Sequence, residues 1–396
     1  MAHARPAPAI TAYTSTSAAG VGRGALREAL AARRSGLRRN DFGAGDRLET
    51  WIGRVDGVEQ VALPPALAGF DCRNNRLAWL GLQQDGFLAA VEAARARHGS
   101  ARVALVIGTS TSSIGASEEA YARLQDGHFP PDLDRPIVHT PHSLGGFLQQ
   151  ALALDGPCVT VATACSSSAK VFAQAARLLA AGFADAAVVG GVDTLCGSVL
   201  FGFNALELVS ARPCRPFDVD RDGLSLGEAA GYALLERSGD GPRLLGYGES
   251  SDAHHMSAPH PQGLGARLAM EGALARAGLE PAAIDYINLH GTSTPKNDEI
   301  EAQAIAALFP PRTLASSTKG WTGHTLGAAG ITESVIALLA LEHGEVPGVL
   351  NARTLDPACG PQIRIDNSRR DCRYVMNNSF GFGGNNCSLL FGRAPA

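Results

Sequence analysis

The sequence predicts an α/β protein whose sheets are largely buried. Three observations carry this expectation. Short apolar runs bounded by Gly, Pro or Asp recur along the chain, each lies near a helical pattern, and 46 Gly with only 6% aromatic residues favour tight β/α connections over long helices. The runs VALVIGTS (103–110), CVTVATAC (158–165), AAVVGGVD (186–193), GYALLE (231–236) and IDYINLHG (284–291) read as strands. They are continuously apolar rather than alternating, as strands covered on both faces are. Helical spacing predicts helices over 25–36, 167–182, 265–278 and 330–344, several closing on Gly.

A length of 396 residues allows two core-forming domains, or one large body built from two halves. The clearest break in pattern is ERSGDGPRLLGYGES at 236–250, which predicts one half over 1–240 and another over 241–396. Hydrophobic residues make up 45% and charged residues 18%, which excludes wholesale disorder. A net charge of −4 supplies no basic field, so nucleic acid is not the expected partner. The start, MAHARPAPAITAYTSTSAAG, lacks the apolar run of a secretory signal, and no uninterrupted apolar span of membrane length follows. A cytoplasmic protein without a membrane span is expected. The eight cysteines are scattered, with no CxxC pair and no zinc-type spacing, so neither disulfides nor a structural metal is expected.

One cysteine stands apart. VTVATACSSSAKVFAQ puts Cys165 between a strand run and a helix, against the unpaired N–H groups and positive end of that helix. Such a place favours thiolate and makes a nucleophile. By local sequence alone, a buried cap region explains the residue equally well. YINLHGTSTPKNDEIEA then carries a strand into His290, a polar turn with Thr292, Thr294 and Asp298, and a helix opened by Glu301. SSTKGWTGHTLGAAGITESV places Lys319 and His324 in a Gly-rich loop before a helix bearing Glu333, which could pair the lysine. A lone histidine in either position is commonly structural. Two histidines, a lysine and a cysteine on strand ends and glycine loops point to a site. In NNSFGFGGNNCSLLF (377–391), glycines interrupt a strand pattern, and the Phe382 N–H is either an oxyanion donor or part of a plain bulge.

Together TACSSSA, HGTSTPKND, KGWTGHTLGAAG and NSFGFGG resemble, in order and spacing, the elongating β-ketoacyl-[acyl-carrier-protein] synthases, the ketosynthase I/II branch of the thiolase-like superfamily. SSDAHHMSAPHP at 250–261 and RPFDVDRDGLSLGEAAG at 215–231 resemble further blocks of that family. The resemblance implies a thiolase-like fold, two similar α/β halves in a five-layer αβαβα sandwich. It implies decarboxylative condensation of malonyl-carrier protein with an acyl group held on Cys165. His290 and His324 would bind the thioester carbonyl and stabilise the enolate, while Lys319 with Glu333 would set the electrostatics. Cys165 and Phe382 N–H groups would form the oxyanion hole, with the Phe382 ring as gate. Thr292 and Thr294 would hold the phosphopantetheine arm, and no metal or redox cofactor is called for.

The partners implied are an acyl carrier protein, docking on Arg73 and Arg76, and a second chain in a homodimer or in a heterodimer with a chain-length partner. Three stretches depart from the family pattern. AITAYTSTSAAG lacks the usual glycine-bearing start, the segment from Phe203 to Arg215 is short, and TSTSSIGA at 109–116 is polar. Fatty-acid synthesis and a specialised polyketide or aryl-polyene pathway therefore both remain open. The competing readings are a thiolase-like acyltransferase using coenzyme A and a non-catalytic chain-length subunit.

Overall fold

The five apolar runs become five of the ten principal strands in a computed structural model that describes residues 7–43 and 47–394; part of the polar start, residues 1–6, lies outside the described residues. In the first half the strands are β1 (Ala9–Ser17), β2 (Val103–Gly108), β3 (Cys158–Val161), β4 (Ala186–Asp193) and β5 (Ala229–Glu236). The second half supplies β6 (Arg243–Ser251), β7 (Tyr286–Asn288), β8 (Leu314–Ser316), β9 (Tyr374–Gly381) and β10 (Asn385–Gly392). Their order across the sheet is β8-β7-β9-β10-β6-β1-β5-β4-β2-β3. At its centre β6 and β1 share one residue pair, Arg243 with Ala9. By contrast β1 pairs with β5, and β6 with β10, along their lengths. The sheet is thus two five-stranded sheets joined at a point, and counted within its own half each runs 3-2-4-5-1.

Seven helices matter here: α1 (Arg23–Ala31), α2 (Arg73–Leu82), α3 (Ser167–Ala181), α4 (Gly197–Ala205), α5 (Leu264–Ala277), α6 (Pro295–Leu308) and α7 (Ala329–His343). Helices α3 and α7 pack together between the two sheets, where Val171, Phe172, Ile331 and Val335 share one core with Val189 and Leu389. α2 covers the outer face of the first sheet through Leu77, Ala78 and Leu82, against Leu105 and Tyr232. α5 and α6 cover the second through Met270, Ala273 and Ile305, against Ile287 and Leu390. The result is the five-layer, thiolase-like αβαβα sandwich that the motifs imply.

Each helix foreseen from spacing forms within a few residues of its expected ends, although the first stops at Ala31, short of residue 36. The strand expected over 158–165 ends at Val161, because the chain must turn there to start α3. Residues 326–343, which include α7, are apolar and long enough by composition to cross a membrane, yet 89% of that stretch is buried inside the protein. A largely apolar helix buried on every side suits the middle of a layered core. All eight cysteines are free.

Candidate active site

β3 and β8 hold the same place in their halves, third in chain order and at the outer edge of each sheet. The loop after β3 carries Cys165 and leads into α3; the loop after β8 carries Lys319 and His324 and leads into α7. Two equivalent strand ends thus converge across the middle layer. Cys165 is 5% exposed, and His290, His324, Lys319 and Glu333 are each at most 2% exposed.

Before Cys165, Ala164 takes φ +52°, a left-handed conformation that costs on the order of 1–3 kcal/mol for a residue with a Cβ. The turn is held by the Thr163 N–H, which donates to Ser167 Oγ at 2.9 Å, and by Ser167 Oγ, which donates to the Ala164 carbonyl at 2.6 Å. The sharp reversal turns the sulfur toward the second half, 3.0 Å from His324 Nε2. His324 is fixed by its backbone: its N–H donates to the Ser225 carbonyl at 2.7 Å, and its carbonyl accepts from Gly227 at 2.9 Å.

His290 follows β7. The carboxylate of Glu301, on α6, accepts the N–H groups of His290 (2.8 Å) and Gly291 (2.7 Å) and so fixes where the imidazole leaves the backbone. The two imidazole rings meet edge to face, with centroids 5.4 Å apart. Lys319 Nζ donates to Glu333 Oε1 at 2.5 Å and to the His290 carbonyl, and lies 3.5 Å from His290 Nδ1. The expected Lys319–Glu333 pair therefore forms, entirely out of water.

Burial dominates the protonation of this cluster. It holds His290 and His324 well below the ordinary imidazole value, with the Lys319 charge adding to the effect, so both rings are neutral. It raises Glu333 and Glu301 to about 7, against the pull of Lys319 on the first and of backbone N–H groups on the second. The thiol of Cys165 is pushed up to about 11, although Lys319 and the Phe382 N–H favour the thiolate. The helix-terminal position thus does not yield the thiolate expected from sequence; desolvation outweighs it, and the resting pair is thiol and neutral imidazole.

A cavity of about 300 Å³ opens onto Cys165, His290 and His324 and is also lined by Thr292, Thr294 and Phe382. The Thr292 and Thr294 hydroxyls lie 2.9 Å apart. Phe382 begins the turn joining β9 to β10, where Gly383 has φ +74°. Its ring stacks on Phe203 of α4, with centroids 5.5 Å apart. A larger cavity of about 470 Å³ lies elsewhere, beside Arg73, Arg76 and Cys196, away from the paired sulfur and imidazole.

Arg73 and Arg76 do share a helix, α2, but their charges are already answered inside the chain. Arg73 pairs with buried Glu228 at 2.5 Å and with Glu59, and Arg76 grips both oxygens of Asp71 at 2.6 Å. These pairs brace the first half. Glu301 appeared in the sequence only as a helix opener. Asp193, at the end of β4, was not singled out; its carboxylate accepts from Thr109 Oγ1 (2.5 Å), from the Thr111 N–H (3.0 Å) and from the Gly327 N–H (2.6 Å), tying the His324 loop to the loop after β2. A lone Asp closing an apolar strand was its only signal.

Residues 75–240 match the family model described as Beta-ketoacyl synthase, N-terminal domain, and residues 243–353 match Beta-ketoacyl synthase, C-terminal domain. The 3-oxoacyl-[acyl-carrier-protein] synthase 2 of Staphylococcus aureus is 33% identical over 317 residues, covering 74% of this chain and 76% of that protein. The chain belongs to the β-ketoacyl synthase family. Another member, the mitochondrial 3-oxoacyl-[acyl-carrier-protein] synthase of Arabidopsis thaliana, is 40% identical over 269 residues, 62% of this chain; the match spans only 58% of that protein. Among solved β-ketoacyl synthase structures, the ketosynthase ApeO of Xenorhabdus doucetiae, in complex with its chain length factor ApeC, is 38% identical, with a TM-score of 0.91 over 98% of both chains. A β-ketoacyl synthase from Burkholderia phymatum is 30% identical, with a TM-score of 0.87 over 98% of this chain and all of that one.

Proposed function

We propose that this chain is a β-ketoacyl-[acyl-carrier-protein] synthase, an acyltransferase that joins an acyl group held on Cys165 to a malonyl unit delivered on an acyl carrier protein. The observation that carries the reading is the meeting of one thiol and two neutral imidazoles on a single cavity, with Cys165 and His324 3.0 Å apart. Neutral imidazole can take the thiol proton and can also donate a hydrogen bond to developing negative charge.

In the first half-reaction, Cys165 Sγ attacks the acyl thioester carbonyl as its proton passes to His324 Nε2. The tetrahedral oxyanion is held by the N–H groups of Cys165 and Phe382. The pantetheine sulfur leaves with the proton from His324, and the acyl group remains on Cys165. In the second, the carbonyl of the malonyl thioester receives hydrogen bonds from His290 and from His324, the latter now in the neutral tautomer that carries its single proton on Nε2. Loss of carbon dioxide leaves an enolate whose oxygen those donors stabilise. The enolate carbon attacks the acyl carbon, and the Cys165 sulfur leaves as thiolate and takes up one proton from solvent. Lys319, neutralised by Glu333, orients His290, while Thr292 and Thr294 hold the pantetheine arm and the Phe382 ring gates it. The substrates stay on that arm and no bound cofactor takes part.

The work divides between residues 1–240, which carry the nucleophile, and 241–396, which carry the imidazoles and the lysine. The Xenorhabdus ketosynthase is complexed with a chain length factor, and a comparable partner, or a second copy, completes the assembly in the cytoplasm. The test is reconstitution with a carrier protein. A two-carbon extension with carbon dioxide release, abolished in Cys165→Ala, is expected. Carbon dioxide release from malonyl-carrier protein that survives in Cys165→Gln and disappears in the further change His290→Ala would assign the imidazoles. Acyl transfer between thioesters without extension would overturn the reading.

A further inference from the structure

The same three side chains form a second kind of site. One ligand atom from each of Cys165, His290 and His324 lies within 4.8 Å of the others, and all three residues are buried. A thiolate and two imidazoles are the donor set of zinc, with metal–sulfur distances of about 2.3 Å and metal–nitrogen distances of about 2.0–2.1 Å. A tetrahedron of that size has edges of roughly 3.5 Å. The Cys165–His324 separation of 3.0 Å and the 4.8 Å outer limit bracket it, so shifts of about an ångström or less bring three ligands onto one ion. The cavity that all three residues line supplies an entry path and a fourth, open position.

We propose that the unacylated site captures a soft divalent cation, Zn²⁺ above all, which switches the protein off reversibly. Binding replaces the Cys165 thiol proton with the metal: the sulfur keeps its electron pair as thiolate, a zinc–sulfur bond forms, and one proton goes to solvent for each ion bound. No redox partner is needed. Acylation protects, because a thioester sulfur is a poor ligand, so the ion stops only enzyme that is waiting for its acyl group. Lys319, 3.5 Å from His290 Nδ1, opposes the cation, and its partner Glu333 offsets that charge. The remaining seven cysteines form no comparable cluster with His, Asp or Glu among the described residues. The proposal rests on the chemical reading above only for its regulatory meaning; binding itself needs no carrier protein.

The test is titration of the chelator-treated full chain with Zn²⁺ against a chromogenic competitor. Co²⁺ serves as a second probe whose thiolate charge-transfer band reports a sulfur ligand. One ion and one released proton per chain are expected. Affinity is expected to fall on the order of 100-fold in Cys165→Ala and in His324→Ala. Wild-type protein alkylated at Cys165 needs no mutation and controls for folding; it is expected to lose the ion as well. Unchanged stoichiometry in the alkylated protein, or iodoacetamide labelling of Cys165 that Zn²⁺ does not slow, would overturn the site. Condensation activity that Zn²⁺ leaves untouched overturns the switch alone. Zinc held at Cys165 in a protein that condenses nothing sustains the metal site and removes the functional reading instead.

Discussion

Alkylation of Cys165 is expected to accelerate about tenfold for each unit of pH from 7 to about 10, with no plateau below pH 9. Burial raises this thiol from an ordinary 9.0 to about 11. A shift of about two units corresponds to about 3 kcal/mol disfavouring the thiolate. At pH 8 an ordinary thiol of that kind is about one-tenth ionised, whereas this one is about one-thousandth ionised, a difference of roughly 100-fold. Absolute rates also reflect how easily a reagent reaches a buried sulfur, so the slope against pH is the measurement that isolates ionisation. Peptide-resolved mass spectrometry after timed iodoacetamide pulses separates Cys165 from Cys158, which is also raised to about 11. Lys319→Met removes the charge that favours the thiolate and is expected to lower the rate further at every pH. A plateau between pH 6 and 8 would refute the reasoning, because it would mean that Cys165 and His324 rest as a thiolate–imidazolium pair.

Glu301 and Glu333 are both raised from 4.5 to about 7 in the folded chain. Each therefore contributes stability that is complete below pH 4.5 and is lost as pH rises through 7, up to about 3 kcal/mol per group. Urea unfolding of Glu301→Gln is expected to show a flatter pH dependence than wild type across that window. Lys319→Ala leaves Glu333 buried without its ion partner and is expected to cost about 3–5 kcal/mol in the same assay, with much of it regained in Lys319→Ala/Glu333→Ala. In Gly327→Ala the new Cβ would sit 2.6 Å from Asp193 Oδ2 and from the Ser110 nitrogen. A loss of about 1–3 kcal/mol in thermal unfolding is expected, with slower acylation of Cys165 because the His324 loop is displaced. Arg73→Ala is expected to lower stability by isolating Glu228, and to leave the affinity for a carrier protein unchanged once measured on folded protein by surface binding.

The layered architecture was legible because its strands are short, apolar on both faces and punctuated by glycine; AAVVGGVD becomes a strand over the very residues expected, Ala186–Asp193. The site residues were legible because chemistry fixes their neighbours: a nucleophile needs small residues around it, and Ser166, Ser167 and Ser168 supply them. Protonation was not legible. A helix terminus can be read from Cys165-Ser166-Ser167, but the thiol is 5% exposed among residues remote in the chain, His324 lying 159 positions away. The pairing of the arginines was hidden for a related reason. Arg73 looks free in FDCRNNRLAW, and only the folded chain brings Glu228 and Glu59 to it; the partner of Arg76, Asp71, stands in that segment, but the sequence does not show that the two meet. Asp193 was invisible because its partners, Thr109, Thr111 and Gly327, lie 84, 82 and 134 residues away.

The central helix α7 has a consequence for how the chain is made. Its residues from Ala329 to Leu341 are all buried, against α3 on one side and strands of both sheets. On the ribosome, the first sheet and α3 emerge well before α7 is synthesised, so the inner face of the first half faces water while translation continues. Synthesis at about 5–20 residues per second leaves that apolar surface uncovered for several seconds to half a minute. Arrested nascent chains that end near residue 300 are therefore expected to bind chaperones and to be cut readily by protease. Chains released with α7 in place become resistant.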